Sequence, residues 1–191
     1  QHTKERVDKA VAILKALGEL PDPQVALLLL RHCASFGKLV YSLRVIPHRA
    51  HKDALHFFDE AVRNCFESFM CLSVSEDEWA LATLSTKLGG LGLRSAERHS
   101  PAGFLASQES CHASCSKIDN CYVWNPSDAQ SDVFAAGHDY NIEVQPSDQI
   151  TNTIPRQQQL SASLDKYQLL QLRERRRNDC HYQAHLNHIG S

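Results

Sequence analysis

The sequence predicts a mainly α-helical protein: a helical bundle, an irregular or disordered insertion and a C-terminal helix. In residues 1–107, apolar side chains recur at the three- and four-residue spacing of amphipathic helices. Residues 108–156 lose that spacing and are punctuated by Asn, Asp, Ser and Pro. Residues 157–191 regain it. We therefore divide the chain into a helical region (1–107), an irregular acidic linker or insertion (108–156) and a C-terminal helical segment (157–191).

Composition limits the kind of protein and its partners. The 191 residues are 42% hydrophobic and 22% charged, and no apolar run approaches the length of a membrane span. We therefore expect no contact with a membrane. The first ten residues, QHTKERVDKA, have neither an initiator methionine nor an apolar signal core. They predict a fragment or processed piece that stays inside the cell, in the nucleus or cytoplasm, with its seven irregularly spaced cysteines reduced.

The net charge of −2 hides an uneven distribution. Residues 1–100 carry 13 Lys and Arg against 12 Asp and Glu, so their net charge is +1. Residues 101–155 carry 1 against 7, a net −6, and residues 156–191 carry 6 against 3, a net +3. An acidic middle therefore separates two mildly basic helical parts.

Two helices are predicted before residue 47. The first should end near Gly18. Asp22 followed by Pro23 is a typical helix start, because it combines a capping side chain with a proline at the first helical position. The second helix should run from there to about Ile46, where Pro47 stops it. Because it is apolar almost all round, most of it should be buried.

Four polar side chains interrupt this apolar second helix: Arg31, Ser35, Lys38 and Ser42. At 100° per residue they fall within about 60° of one another, so we predict one narrow polar stripe. Arginine and lysine neutralise phosphates, and hydroxyls hydrogen-bond to them, which makes the stripe a candidate nucleic-acid-binding surface. The solvent-facing edge of any amphipathic helix would look the same. Both interpretations also apply to four C-terminal arginines: Arg173, Arg175, Arg176 and Arg177.

Residues 49–71 predict a third helix, with Asp59 and Arg63 one turn apart on the face opposite its apolar side chains. Asp59 and Glu60 are adjacent carboxylates, and polymerases use paired aspartates to hold two metal ions. In a helix, however, these two side chains point about 100° apart. We therefore interpret them as solvated charges on the helix surface and predict no catalytic residue.

A capped helix followed by three glycines marks a junction at residues 75–95. Ser75 and Glu78 match a capping box at a helix start. Gly89, Gly90 and Gly92 permit left-handed or closely packed backbone that a residue with a Cβ resists. No Lys followed by Ser or Thr comes directly after them, as it would in a phosphate-cradling loop. We therefore expect a structural junction.

Two further helices are predicted. Ser100 and Pro101 suit the N-cap and first turn of one. The other should run from about Leu160 to His188. Residues 111–155, which lie between them, show no such periodicity and should be irregular.

The irregular segment contains a candidate metal site that we do not favour. Cys111, Cys115 and Cys121, with His112 between them, supply thiolate and imidazole groups. Their spacing is not that of a familiar zinc knuckle, and a fourth ligand would come from His112, His138 or farther away. Free thiols in a loop are the alternative. Three histidines at helical spacing form a second weak candidate: His181, His185 and His188.

Four sequence blocks, in order, resemble one protein family. They are PDPQVALLLLRHCASFGKLVYSLRVIP, HKDALHFFDEAVRNCFESF, WALATLSTKLGGLGLRSA and HSPAGFLAS. Together they resemble the region downstream of the polymerase palm in reverse transcriptases of non-LTR retrotransposons. The similarity covers residues 1–107 and continues weakly over 160–191, whereas the acidic residues 111–155 depart from the family's pattern.

The resemblance implies a thumb-like helical region that grips the RNA–DNA primer–template of an RNA-directed DNA polymerase. Its other partner would be the palm domain of the same polypeptide, which would carry the catalytic aspartates and their Mg²⁺. The fragment would have no catalytic site and no cofactor of its own. Arg31 and Lys38 would contact phosphates, assisted by Ser35 and Ser42. Two other functions stay open: a co-opted helical protein-interaction module, and a small zinc-stabilised domain built around the three cysteines.

Overall fold

A computed structural model describes residues 2–151 and 154–180, and it confirms a mainly α-helical fold. The α-helices are α1 (His2–Gly18), α2 (Pro23–Leu29), α3 (Val40–Val45), α4 (His48–Met70), α5 (Glu76–Thr83), α6 (Ala96–Ile118), α7 (Asp132–Ile142) and α8 (Gln157–Arg175). Short π- or 3₁₀-helical turns lie between them, at Leu30–Ala34, Phe36–Lys38, Thr86–Leu88 and Pro146–Asp148. The described residues contain no β-strand.

The first hydrophobic core lies between α1, α4 and the segment from α2 to α3. α1 packs along α4, and buried Val7 and Leu14 of α1 share this core with Phe58 and Phe66 of α4. The predicted start of α2 is confirmed, because the Asp22 carboxylate accepts hydrogen bonds from two backbone N–H groups of the first turn. Burial of these apolar side chains is the main stabilising contribution to this half of the molecule.

The prediction of one continuous helix from Pro23 to Ile46 is wrong. α2 ends at Leu29, a π-helical turn follows, and the backbone of Ser35 is non-helical, with φ −91° and ψ −142°. The break turns apolar side chains of both halves towards the first core. A straight helix that is apolar on every face could bury only one of its faces against that core. Three residues around the break are buried in that core: Leu30, Ala34 and Leu39.

α6 begins at Ala96, so the helix start predicted at Ser100 and Pro101 is wrong. The N-cap is Ser95, whose hydroxyl oxygen accepts a hydrogen bond from a backbone N–H one turn later, at 3.0 Å. Pro101 lies inside the helix, beyond its first turn. Asp59 of α4 also binds the first N–H groups of α6, a long-range contact that local sequence does not reveal.

Residues 108–156 differ from the irregular segment that the sequence predicts. α6 continues to Ile118 and so crosses the boundary drawn at residue 107, and α7 forms where no helix was expected. Only residues 119–131 and the stretch after α7 lack α-helix in the described part of this segment. α6, α7 and α8 enclose a second core around Tyr140, whose hydroxyl donates to the carbonyl of Leu160 at 3.3 Å. Burial raises the pKa of Tyr140 to about 12.

α8 joins the two halves of the molecule. It packs on α6 in the second core, and its Leu169 and Leu172 form a third buried cluster with Leu84, which follows α5. The helix ends at Arg175, well before the predicted end at His188. Residues 181–191, which include the three histidines considered as metal ligands, lie outside the described residues.

Candidate functional site

The glycine junction connects α5 to α6 through a tightly folded turn. The capping box predicted at Ser75 and Glu78 is present at the start of α5. The predicted helix does not extend to the glycines: α5 ends at Thr83, and a separate short 3₁₀ turn is the element that Gly89 ends, at φ 76°. A Cβ at Gly90 would overlap the carbonyl oxygen of the residue that follows α5, so no side chain fits there. The glycines therefore act in the packing of this junction, as expected.

Gly92 connects the glycine junction to the segment from α2 to α3 (residues 23–45), which we call the broken helix. Its φ is +74°, a conformation that favours glycine, and a Cβ on it would lie 3.3 Å from Nε of Arg31. Between the two segments lies a shallow pocket of about 250 Å³, which we call the junction pocket. Its polar lining includes Arg31, Ser35, Ser85, Thr86 and Arg94. The pocket thus brings together two sequence features that are some sixty residues apart.

The predicted polar stripe does not exist as one helix face. Arg31 and Lys38 are exposed, but Ser35 is only 2% exposed and Ser42 is completely buried. The hydroxyl of Ser35 lines the junction pocket and donates to the carbonyl of Arg31 at 3.2 Å. The stripe fails because the helix breaks between Arg31 and Lys38, which changes the direction of every later side chain. Of the four residues, Ser42 cannot contact a ligand in this structure.

Arg94 is held at the junction pocket by a buried carboxylate. Its Nη2 lies 3.5 Å from Oδ2 of Asp165, whose other oxygen lies 3.4 Å from Nε2 of His99. The side chains of Asp165 and His99 are each 2% exposed, against 34% for Arg94. Burial lowers the pKa of His99, so the imidazole is neutral at pH 7. Burial opposes ionisation of Asp165 as well, but the hydrogen bond from His99 and the charge of Arg94 keep the pKa of Asp165 below its ordinary value.

A charge asymmetry in residues 23–52 is the signal that our sequence reasoning missed. This stretch holds no Asp or Glu, and its five cations are Arg31, Lys38, Arg44, Arg49 and Lys52. Arg49 and Lys52 are paired with carboxylates of α7 and α6, at 2.8 and 3.7 Å. Within the described residues, Arg31 and Lys38 have no acidic partner, and Arg44 donates only to the amide oxygen of Gln157. We call Arg31, Lys38 and Arg44 the unpaired cations.

An exposed aromatic ring, Tyr41, lies on α3, in the same chain segment as the unpaired cations. Arg6 of α1 donates through Nη2 to the carbonyl of Lys38 at 2.9 Å, and its guanidinium carbon is 6.0 Å from the centre of the Tyr41 ring. Tyr41 is 61% exposed. An exposed ring beside cations offers a nucleic-acid base a surface for stacking. The sequence patterns singled out neither Arg6 nor Tyr41.

Three of the four C-terminal arginines considered as phosphate ligands lie against carboxylates: Arg175, Arg176 and Arg177. Arg175 and Arg176 both contact Asp77 in the first turn of α5, at 3.1 and 2.6 Å. Arg177 lies 3.7 Å from Glu174 on its own helix end. The contacts with Asp77 join the end of α8 to α5. All of these carboxylates neutralise part of the positive charge with which the arginines would bind a phosphate.

Asp59 is not the solvated surface charge that the sequence predicts. Its carboxylate accepts hydrogen bonds from the N–H groups of Ala96 and Glu97, at 2.7 and 3.0 Å, and from the hydroxyl of Ser95 at 2.6 Å. Burial raises the pKa of Asp59 to about 6, against the effect of these hydrogen bonds. Glu60 is exposed. The two adjacent carboxylates therefore do not converge on a metal, and Asp59 holds the start of α6.

The candidate zinc ligands do not come together. Cys111 and Cys115 lie on α6, Cys121 lies beyond its end, and His112 stacks on Trp124 with 5.0 Å between the ring centres. All seven cysteines are free thiols. In residues 2–151 and 154–180, no three or more His, Cys, Asp or Glu side chains are arranged to hold a metal ion. The described part of the chain thus gives no geometric support to the zinc-stabilised domain.

Comparisons of the whole chain with known proteins give no match: no family model, no curated protein and no solved structure is similar to it. Among the described residues, no helix combines the length and the apolar character that crossing a lipid bilayer requires. A proposal of function therefore depends on the sequence motifs and on the geometry of the site.

Proposed function

We propose that the chain is the thumb-like region that follows the palm in a non-LTR retrotransposon reverse transcriptase, and that it grips the RNA–DNA primer–template through phosphates. The observation that carries the proposal is the set of unpaired cations, all three of which lie in the first of the four sequence blocks that resemble the family. Cations that neutralise phosphates release counterions and give affinity that does not depend on sequence. A polymerase that copies any template needs affinity of this kind.

The packing of the broken helix favours the same function. The unpaired cations are exposed, but the residues beside them are anchored: Leu30, Leu39 and Leu43 are completely buried in the first core. Binding groups on a rigid, well-packed segment lose less conformational entropy on contact than those on a loop. Tyr41 adds an aromatic surface in the same segment.

In this proposal the chemical step belongs to the palm of the same polypeptide, with its aspartates and Mg²⁺, and the palm is the second partner of the chain. Apolar side chains exposed on α2 favour a protein contact of this kind: Val25, Leu28 and Leu29. The same exposed side chains favour the second candidate function, a helical protein-interaction module. Duplex binding separates the two, because a protein-interaction module has no need of it.

The test is a fluorescence anisotropy titration of a labelled RNA–DNA duplex with the chain. The double variant Arg31→Glu, Lys38→Glu is compared with Lys15→Glu, Lys117→Glu, which reverses two exposed lysines on α1 and α6 and changes the net charge equally. We expect a wild-type dissociation constant of about 1–100 μM at physiological salt, the range of sequence-independent binding. Reversal of the unpaired cations should weaken binding about tenfold or more, and the control less than about threefold. Equal losses in both variants, or no duplex binding by the wild type, would contradict the proposal.

A further inference from the structure

We propose that the junction pocket is a discrete binding site for a single phosphate group, supplied by one phosphodiester of the nucleic-acid strand. The inference rests on the proposed function for the source of the phosphate and goes beyond it by assigning the site and adding Arg94 to it. Pockets that hold whole small-molecule ligands are about 300–1,000 Å³. The junction pocket, at about 250 Å³, is smaller and suits a compact group.

The charges of the pocket favour a phosphate. Arg31 and Arg94 reach it from opposite segments, the broken helix and the end of the glycine junction. Arg31 has no acidic partner among the described residues, and Arg94 shares only one long contact with Asp165, at 3.5 Å. With Asp165 ionised and His99 neutral, these groups carry a net charge of +1. Arginine presents a planar fork of N–H donors that matches phosphate oxygens, so a phosphate can use the donors that Asp165 leaves free.

A buried carboxylate behind Arg94 pre-organises the site. Asp165 is hydrogen-bonded to His99 and lies on α8, so the position of Arg94 depends on the packing of α8 against the junction. A guanidinium that is held in place before binding loses little rotamer freedom when the ligand arrives. Thr86, which is exposed at the pocket, adds a hydroxyl donor from the 3₁₀ turn.

Gly92 gives the pocket its shape. Its missing Cβ leaves the space in which the Arg31 side chain lies, since an added Cβ would approach Nε to 3.3 Å. The glycine motif therefore acts on the ligand indirectly, by admitting an arginine from another segment. This differs from a glycine-rich loop whose own backbone surrounds a phosphate.

The experiment uses the full chain, two probes and three variants. The first probe is inorganic phosphate, whose binding is followed through the amide NMR signals of Gly92 and Thr86. The second is a series of RNA–DNA duplexes in which one phosphate at a time is replaced by a neutral methylphosphonate. The variants are Arg31→Ala, Arg94→Lys, which keeps a charge beside Asp165 but loses the fork, and Lys87→Ala. Lys87 is the matched control, because it is exposed next to Thr86 but does not line the pocket.

We expect one methylphosphonate position to weaken wild-type binding about tenfold, as for loss of a charge-assisted hydrogen bond. That penalty should vanish in Arg31→Ala, shrink in Arg94→Lys and persist in Lys87→Ala. Should Arg94→Lys prove unstable in thermal unfolding, Arg31→Ala alone decides the matter. If Arg31→Ala and Lys87→Ala change the methylphosphonate penalty equally, the proposal is overturned. The duplex would then respond to the general positive charge of the surface and not to a discrete site.

The two proposals fail in different ways. If inorganic phosphate shifts the Gly92 and Thr86 signals in the wild type and not in Arg31→Ala, while no duplex binds, the phosphate site is supported and the thumb function is contradicted. If duplex binding depends on Lys38, but every methylphosphonate weakens binding equally in the wild type and in Arg31→Ala, the phosphate site is contradicted and the thumb function is supported.

Discussion

Asp59 joins two helices, and the residues that it contacts are 36 to 38 positions away in sequence. Its carboxylate binds three donors at the start of α6, and Asp59→Ala would leave those donors without a partner. Hydrogen bonds to charged groups contribute about 1.5–3 kcal/mol, so we expect the free energy of unfolding to fall by roughly 2–3 kcal/mol. Urea unfolding measures the loss. Glu60→Ala, the exposed neighbour, should change it by less than about 0.5 kcal/mol, and similar losses in both would refute this role.

His51 makes the stability of the protein depend on pH. The ring is buried between Thr3, whose hydroxyl lies 3.1 Å from Nδ1, and Ser100, whose hydroxyl lies 3.3 Å from Nε2. Burial lowers the pKa of His51 from 6.5 to about 4. Between these values the unfolded chain binds a proton that the folded chain does not. The stability contribution of His51 is therefore complete above pH 6.5 and is lost as the pH falls towards 4.

His51→Gln removes this titration and provides the test. The stability advantage of the wild type over His51→Gln should shrink by about 2–3 kcal/mol between pH 7 and pH 4. Urea unfolding of both proteins across that range measures the difference. Because other titrating groups are shared by the two proteins, their contributions cancel. An advantage that stays constant with pH would show that the folded protein accepts a charged imidazole at this position.

At the scale of elements, Gly92→Ala tests the contact between the glycine junction and the broken helix. The left-handed backbone costs a residue with a Cβ about 1–2 kcal/mol, and the Cβ would crowd Arg31. We expect that loss of stability in thermal or urea unfolding, together with weaker duplex binding. Gly137→Ala in α7 is the control, because its Cβ would meet no atom within 4 Å and its φ is negative. If the two variants have the same stability and the same duplex affinity, the glycine junction has no role in duplex binding.

The elements also show what sequence can predict. Local signals were sufficient for the capping box of α5 and for the Asp22 cap, because each depends on residues within one turn. The break after Leu29 was not predictable from periodicity, since a helix that is apolar on every face satisfies the pattern equally well when it is broken. The start of α6 has a local cap at Ser95, but it is also bound by Asp59, a tertiary contact that no local spacing encodes.

At the scale of the whole molecule, the mainly α-helical class follows from hydrophobic periodicity alone. The candidate site does not, because Arg31 and Arg94 meet only after the chain has folded back across α4 and α5. The sequence identified Arg31 and Lys38 through a helix face that does not form. The charge composition of residues 23–52 was the better indicator of a cationic surface. The absence of acidic residues there does not depend on whether the helix is straight or broken.

The salt dependence of duplex binding tests the central claim most directly. The logarithm of the binding constant falls with the logarithm of salt concentration by about 0.9 for each phosphate neutralised on a B-form duplex. If Arg31 and Lys38 each neutralise one phosphate, Arg31→Glu, Lys38→Glu should reduce that slope by about 2 relative to the wild type, in titrations of the RNA–DNA duplex at several salt concentrations. An unchanged slope in this double variant would contradict the account.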